Sequence, residues 1–302
     1  MRLGPLTILV GPNGSGKSNF LDALAFMTRA LETTPAEAID ERGGLNEILR
    51  RVPDQAESFS IAIDAAGVSG EAPFSQLYTG LSRPRFYNFN TETLRRPQPS
   101  AARPVLRHGG EALGEVLAAL ATDNPVGKAR LDAYLSAIVQ DATGVEVHRA
   151  GGYLTVALKT DVEGEDFEFG SLAMSDGTIR AVALLAALFQ PEALDGRLPL
   201  VGIEEPETAL HPAAAGVLFD ALSEASERVQ VIGTSQSPDL LDRDDLDLSV
   251  VRVVAMRDGL TVIGEVDEVS REIAAQKLYT LGALMRGDQL TPAPLDDAGT
   301  EG

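Results

Sequence analysis

Residues 11–19 read GPNGSGKSN, and the fold is decided there. Positions 11–18 match the pattern G-x-x-x-x-G-K-[ST] in full. Each part has a mechanical reason. Gly11, Gly14 and Gly16 let backbone N–H groups curl around phosphates, and Lys17 reaches the outer ones. The Ser18 hydroxyl suits a magnesium ion that bridges them. Pro12, Asn13, Ser15 and Asn19 complete the cradle. LTILV (6–10) before it is a short apolar run that reads as a buried strand. KSNFLDALAFMTRAL (17–31) after it carries apolar residues at 20, 21, 24, 27 and 31, a helical spacing. The positive end of that helix points at the anion. A glycine-rich turn that matches by accident is the bland alternative. The scarcity of lysine in the chain argues against it. The motif in this context implies a bound nucleotide with Mg²⁺.

Two more strand ends extend the reading. LPLVGIEEPETALHP (198–212) puts Glu204 and Glu205 directly after an apolar run. Adjacent carboxylates leaving a buried strand repel each other unless a cation or a proton relieves them. A magnesium ion shared with Ser18 would do so, with Glu204 ordering its water shell and Glu205 polarising the attacking water. Solvated surface acids are the bland alternative. VQVIGTSQSPDLL (229–241) is a second buried run that ends at a polar corner, Gln236. A glutamine amide can donate to a phosphate oxygen and accept from water, but it cannot titrate as histidine does. Continuous apolar strands belong to a sheet buried on both faces. Strands 6–10, 198–203 and 229–234 should therefore be neighbours, with their C-terminal ends on one ligand-binding edge. AMSDGTIRAVALLAALF (173–189) opens a buried helix with Ser175, Asp176 and Gly177. Alone, that triplet reads as a helix cap. Beside the phosphate loop it also reads as a second anion-binding helix start.

The remaining segments complete an α/β fold. Residues 32–54 read as loop with a short helix, FSIAIDA (59–65) as a strand, and the Pro- and Arg-rich 70–108 stretch as irregular. Residues 111–120 and 126–140 read as helices. Residues 144–150, 153–160 and 166–170 read as strands. Residues 212–226 read as a helix, and 249–266 as a hairpin turning near Asp258 and Gly259. The expected organisation is one nucleotide-binding core from 1–54 and 171–286, an inserted α+β and helical lobe from 55–170, and a fraying tail at 287–302.

Composition narrows the class. The 302 residues are 44% hydrophobic and 23% charged, with no cysteine, which excludes disulfides and thiolate metal sites. His148 and His211 have no second metal-like neighbour in sequence, so zinc is not expected. No apolar run reaches the roughly 20 residues of a membrane span. The N-terminus lacks a signal-peptide pattern, so a cytoplasmic location without membrane contact is expected. The net charge of −20 argues against nucleic-acid binding by the whole surface. One segment runs the other way. Residues 83–107 hold Arg83, Arg85, Arg95, Arg96, Arg103 and Arg107, interleaved with Phe86, Tyr87 and Phe89. Stacking with cationic contacts could hold a single strand there. Ion pairing within an acidic protein, or aromatic core packing, is the alternative.

Taken together, GPNGSGKSN, SDGTIR, IEEPETALHP, TSQSPDLLD and LYTLGALMRGDQL (278–290) resemble, in order and spacing, the ABC-type ATPases of the SMC, RecF and OLD kind. More narrowly they resemble the bacterial AAA-21-like group, and the resemblance covers nearly the whole chain. It implies a P-loop NTPase head with a mixed sheet core. It also implies that ATP binding joins two heads into a homodimer. Ser175, Asp176 and Gly177 of one chain would then contact the nucleotide on the partner's phosphate loop. It assigns Lys17, Glu205 and Gln236 to catalysis and Ser18 and Glu204 to the metal.

The chain departs from the family pattern in several places. Only MRLGP precedes the phosphate-loop strand, where relatives usually carry one or two strands; this leaves adenine contacts unassigned and should expose a sheet edge. Glu204 stands where the wider superfamily has Asp, and Gln236 where it usually has His. Gln76 is the candidate for the Q-loop glutamine. The resemblance implies an ATP-hydrolysing head in DNA maintenance, repair or anti-phage defence, with a separately encoded nuclease or a DNA partner. A nucleotide-gated regulatory scaffold with little turnover is the alternative. A small-molecule kinase would leave SDG and EEPETALHP unexplained.

Overall fold

The computed structural model describes residues 1–48, 60–63, 73–100 and 105–294. The strands are β1 (Leu6–Val10), β2 (Arg85–Tyr87), β3 (Gln98–Pro99), β4 (Ala142–Ala150) and β5 (Tyr153–Val162). They continue as β6 (Glu165–Gly170), β7 (Leu200–Glu204), β8 (Gln230–Ser235), β9 (Val251–Arg257) and β10 (Leu260–Gly264). The helices begin with α1 (Lys17–Glu32), α2 (Pro35–Asp40), α3 (Leu45–Ile48), α4 (Pro73–Ser82), α5 (Thr91–Arg95) and α6 (Leu113–Asp123). They end with α7 (Pro125–Ile138), α8 (Asp176–Phe189), α9 (Pro191–Leu194), α10 (Ala215–Ser226), α11 (Glu268–Ala275) and α12 (Leu281–Arg286).

A six-stranded sheet in the order β10-β9-β1-β8-β7-β2 carries the core. All its pairings are parallel except β10 on β9. Its strands are apolar on both faces because helices cover both. Side chains alternate across a strand, so Ile8, Val10, Val201, Ile203 and Val231 join the cluster built on α8 and α10. Leu9, Ile232 and Val254 face the other way and pack on Leu21 of α1. Helix α8 is buried almost along its length, from Ile179 to Phe189. A second sheet, β3-β5-β4 with β6 on β5, is antiparallel throughout.

The expected neighbours β1, β8 and β7 are adjacent, and the 249–266 hairpin forms as β9 and β10. Several expectations are corrected. Residues 60–63 of the expected 59–65 strand carry no regular structure and are exposed; the rest of that strand lies outside the described residues. The 70–108 stretch is not irregular throughout. It contains α4, β2, α5 and β3, and β2 pairs with β7 in the core sheet although it falls inside the stretch read as an insertion. Three residues surrounded by Pro and Arg give no period to detect. The tail from Gly287 does not fray over its described part. Ala293 N–H donates to Glu265 O at 2.8 Å, Asp267 N–H donates to Thr291 O at 3.3 Å, and Val266 bridges Pro292. Strand β1 is interior, between β9 and β8, and among the described residues the sheet ends at β10 and β2.

The stacking reading of residues 83–107 also fails. Tyr87 and Phe89 are buried in the main core and stack on each other at 5.5 Å. Phe86 packs against the α1-side cluster. Arg85 pairs with Glu32 at 3.1 Å, Arg95 with Asp176 at 2.6 Å and Arg96 with Glu92 at 3.3 Å. Core packing and ion pairing account for Arg85, Phe86, Tyr87, Phe89, Arg95 and Arg96; Arg83 and Arg107 are exposed, and Arg103 lies outside the described residues. Among the described residues no helix is long and apolar enough to cross a membrane.

Candidate nucleotide site

Strand register brings three sequence signals to one sheet edge. Val10 is paired with Ser235, and Glu204 with Thr234, so the ends of β1, β7 and β8 coincide. Chain leaves β1 into the loop 11–16 and re-enters structure as α1. Gly14 and Gly16 take φ of 75° and 99°, the left-handed region that side chains with a Cβ disfavour. Gly11 is required for a different reason. A Cβ there would sit 2.1 Å from Val254 O, so β9 presses directly on the start of the loop.

Lys17 lies across its own loop. Its Nζ donates to Gly11 O at 2.8 Å and to Pro12 O at 2.9 Å. An ammonium has three N–H donors, so these bonds leave one for an anion. Burial pulls the Lys17 pKa below the usual 10.5, against the raising effect of Glu205 and Glu207. Ser18 and Asn19 are exposed in the first turn of α1. The Ser15 hydroxyl is buried without a hydrogen-bond partner.

Glu205 follows β7 on the same edge, two strands from β1, with φ of 44°. This left-handed backbone is uncommon outside glycine and is held by its N–H, which donates to Thr234 O at 3.0 Å. Gln236 Nε2 donates to Glu205 Oε2 at 3.1 Å, and Thr208 Oγ1 donates to the same oxygen at 3.1 Å. Gln236 is therefore joined to Glu205 rather than placed in a free surface turn.

Ser175 caps α8, and its Oγ accepts from Thr178 N–H at 3.0 Å. Ser175 and Asp176 are exposed, and Asp176 pairs with Arg95, which also donates to Met174 O at 2.8 Å. A Cβ on Gly177 would meet Ala209 O at 2.2 Å, so the start of α8 packs against the turn that follows Glu205. The triplet is within one chain's reach of that turn but presents its open side outward. Gln76 falls on α4, with its side chain outside the described residues.

Two charged residues escaped the sequence reading. Glu207 lies behind Glu205, and its Oε1 accepts from Ser235 Oγ at 2.6 Å and Ser237 N–H at 3.3 Å. Burial raises its pKa above the usual 4.5, against the lowering bonds from Ser235 and nearby backbone. Arg180 of α8 donates to Phe89 O at 2.7 Å and feels Glu205, Asp176 and Glu207. Burial pulls its pKa below the usual guanidinium range, in the face of those three acids. The only signal in sequence was position: Glu207 inside EEPET and Arg180 closing SDGTIR. Among the histidines, His148 pairs with Glu168, and His211 Nδ1 accepts from Ala213 N–H at 3.2 Å.

The site's chemistry fits a magnesium nucleotide. Gly14 has open space where a side chain would stand, Lys17 keeps an N–H donor, and Ser18 stands exposed at the helix start. Among the described residues no group of three or more His, Asp or Glu is placed to hold a metal ion. Magnesium does not need such a cage: one or two protein oxygens, waters and substrate phosphates suffice.

The fold has known relatives. The structure of an Smc head bound to the C-winged helix domain of ScpA is similar, with a TM-score of 0.52 at 15% identity over 87% of this chain and 91% of that one. An RNase-L inhibitor shares 15% identity over 87% of this chain and 40% of its own, with a TM-score of 0.42. An SMC head domain from Thermotoga maritima shares 16% identity over 51% of this chain and 52% of its own, with a TM-score of 0.33. No curated protein matches. Residues 6–126 and 124–242 match the family described as "AAA domain, putative AbiEii toxin, Type IV TA system". The chain belongs to that AAA-domain family and has the fold of an SMC head domain.

Proposed function

We propose that the chain binds ATP with Mg²⁺ on residues 11–19, hydrolyses it, and forms a homodimer while ATP is bound. The observation that carries this reading is the hydrogen bond of Gln236 to Glu205 at the sheet edge that also ends in the Lys17 loop. In this reading Lys17 holds the β- and γ-phosphates, while Ser18 and Glu204 hold the metal. Bound magnesium neutralises phosphate charge. Glu205 accepts a proton from the attacking water, which Gln236 orients. The water oxygen bonds to the γ-phosphorus, and the bond to the bridging β–γ oxygen breaks, giving ADP and phosphate.

Ser175, Asp176 and Gly177 would act across the dimer, on the nucleotide held by the partner's Lys17 loop. The exposure of Ser175 and Asp176 at the start of a 14-residue helix supports that role. The γ-phosphate would then bias a two-state interface, closed with ATP and open after hydrolysis. The biological setting we propose is DNA maintenance, repair or anti-phage defence with a separately encoded nuclease or DNA partner. The family's description, which names a toxin and a Type IV TA system, favours defence.

Glu205→Gln is the test. It keeps the bond geometry but removes the proton acceptor, so phosphate release should fall at least ~100-fold, the scale of general-base loss. The same variant should run as a dimer with ATP on size exclusion. Unchanged phosphate release in Glu205→Gln would reject the assignment. Wild type that dimerises on ATP without releasing phosphate would favour the nucleotide-gated scaffold, which the non-titrating Gln236 also allows.

A further inference from the structure

We infer that Glu207 is a positioning residue that clamps the 235–237 corner, keeping Gln236 on Glu205 and tying that pair to the start of α8. The inference rests on the reading of Glu205 and Gln236 as the hydrolytic pair.

The side-chain hydrogen bonds of Glu207 run to the 235–237 corner. Oε1 accepts from Ser235 Oγ at 2.6 Å and from Ser237 N–H at 3.3 Å, the residues flanking Gln236. Ser237 N–H also donates to Ser235 Oγ at 3.1 Å, and Ser237 Oγ accepts from Asp239 N–H at 3.3 Å. One carboxylate oxygen therefore fixes both sides of the residue that reaches Glu205. A hydrogen bond to a carboxylate is stronger than one between neutral groups. The second oxygen, Oε2, is buried with no hydrogen-bond partner. A buried carboxyl is costly, and nothing in packing alone requires one here.

The other end of the same turn completes the link. Leu210 N–H donates to Glu207 O at 3.0 Å, and Thr208 N–H donates to Glu205 O at 3.0 Å. Ala209, between them, takes φ of 66° and turns its carbonyl onto Gly177 of α8. A shift of the α8 start would thus move the 205–210 turn as a unit and, through Glu207, the corner that carries Gln236. Binding of a second copy at Ser175 would be sensed by the hydrolytic pair without any contact between the two.

The test uses the full chain as wild type, Glu207→Ala and Glu207→Gln. Losing a bond to a charged group should lower kcat for ATP by ~10–100-fold in Glu207→Ala, with KM within about twofold. Glutamine keeps an acceptor oxygen, so Glu207→Gln should stay within about threefold of wild type. Hydrogen exchange without nucleotide is the second readout. In Glu207→Ala the amides of Ser237 and Asp239 should exchange faster, and those of β1 should not change. Equal kcat and equal exchange in wild type and Glu207→Ala would overturn the inference. So would Glu207→Gln failing together with Glu207→Ala, or KM rising in step as kcat falls. If wild type releases no phosphate, the ATPase reading falls, and exchange alone decides the clamp: faster at Ser237 and Asp239 supports it, unchanged overturns it.

Discussion

Gly16→Ala probes how tightly the β9–β10 hairpin grips the phosphate loop. Two separate strains meet at that residue. Gly16 caps α1 with φ of 99° and ψ of 13°, where an L side chain costs roughly 1–2 kcal/mol. A Cβ there would also lie 2.0 Å from Thr261 Oγ1, 2.8 Å from its Cγ2 and 2.9 Å from its Cβ. Thr261 sits on β10, paired with Met256, and its branched side chain has little freedom to turn away. Forcing a methyl into such a contact costs typically about 1–3 kcal/mol. Together the strains predict a loss of about 2–5 kcal/mol in unfolding free energy.

Thr261→Ala separates the two. It removes Oγ1 and Cγ2 but keeps the Cβ, so it should relieve most of the clash and none of the φ strain. The double variant should recover about 1–2 kcal/mol over Gly16→Ala, read as a coupling energy from urea unfolding of all four proteins. ATP affinity should follow the same order, since the loop and the strand move together. A coupling below about 0.3 kcal/mol, the scale of independent sites, would refute the argument that β10 packs on the loop.

Other outcomes follow from the same geometry. Ser175→Arg puts a long cation at the exposed start of α8 and should abolish ATP-induced dimers on size exclusion. Nucleotide binding by the monomer should survive, and its loss would contradict a role in trans. Gln236→Ala removes the bond to Glu205 and should lower phosphate release by roughly 10–100-fold, the scale of a lost hydrogen bond to a charged group. Gln236→His should make the rate depend on pH between about 5.5 and 7.5, around the ordinary histidine pKa, where wild type shows no such step. Far from the site, Glu224 of α10 accepts from Arg130 Nε at 2.9 Å and from Tyr134 OH at 2.8 Å, both on α7. The bond from Arg130, then that from Tyr134, hold its pKa below the usual 4.5 despite some burial. A folded pKa below the unfolded one gives stability that is present above pH 4.5 and lost as pH falls through the folded value. Glu224→Gln should therefore flatten part of the acid limb of a stability–pH curve, by no more than about 1 kcal/mol for so exposed a pair.

Much of the core was legible because its signals are local. A strand buried on both faces must be apolar throughout, so LTILV, LPLVGI and VQVIGT announce themselves. Glycines at 11, 14 and 16 followed by Lys-Ser state the loop's chemistry in eight residues. The signal failed where partners lie far away in the chain. FSIAIDA alternates like a strand, yet its described residues pair with no neighbour. Strand β2 has three residues and no period, and exists because β7 offers it an edge. The aromatics of 83–107 look the same in sequence whether they meet a ligand or a core. Polar residues in the 287–294 tail look free until their backbone groups are seen bonded to 265–267.

The sequence alone pointed to the nucleotide-binding class and to the adjacency of β1, β8 and β7, and singled out Lys17, Glu205 and Gln236 as candidates, because those rest on spacing within single segments. Only the tertiary structure decided that Gln236 bonds to Glu205, that Glu207 holds the corner between them, and that Thr261 presses on Gly16. Each of these contacts joins residues that are neighbours only through sheet register and loop packing. A carboxylate in EEPET and a threonine in a hairpin carry no sign of what will lie 3 Å away until the strands are aligned.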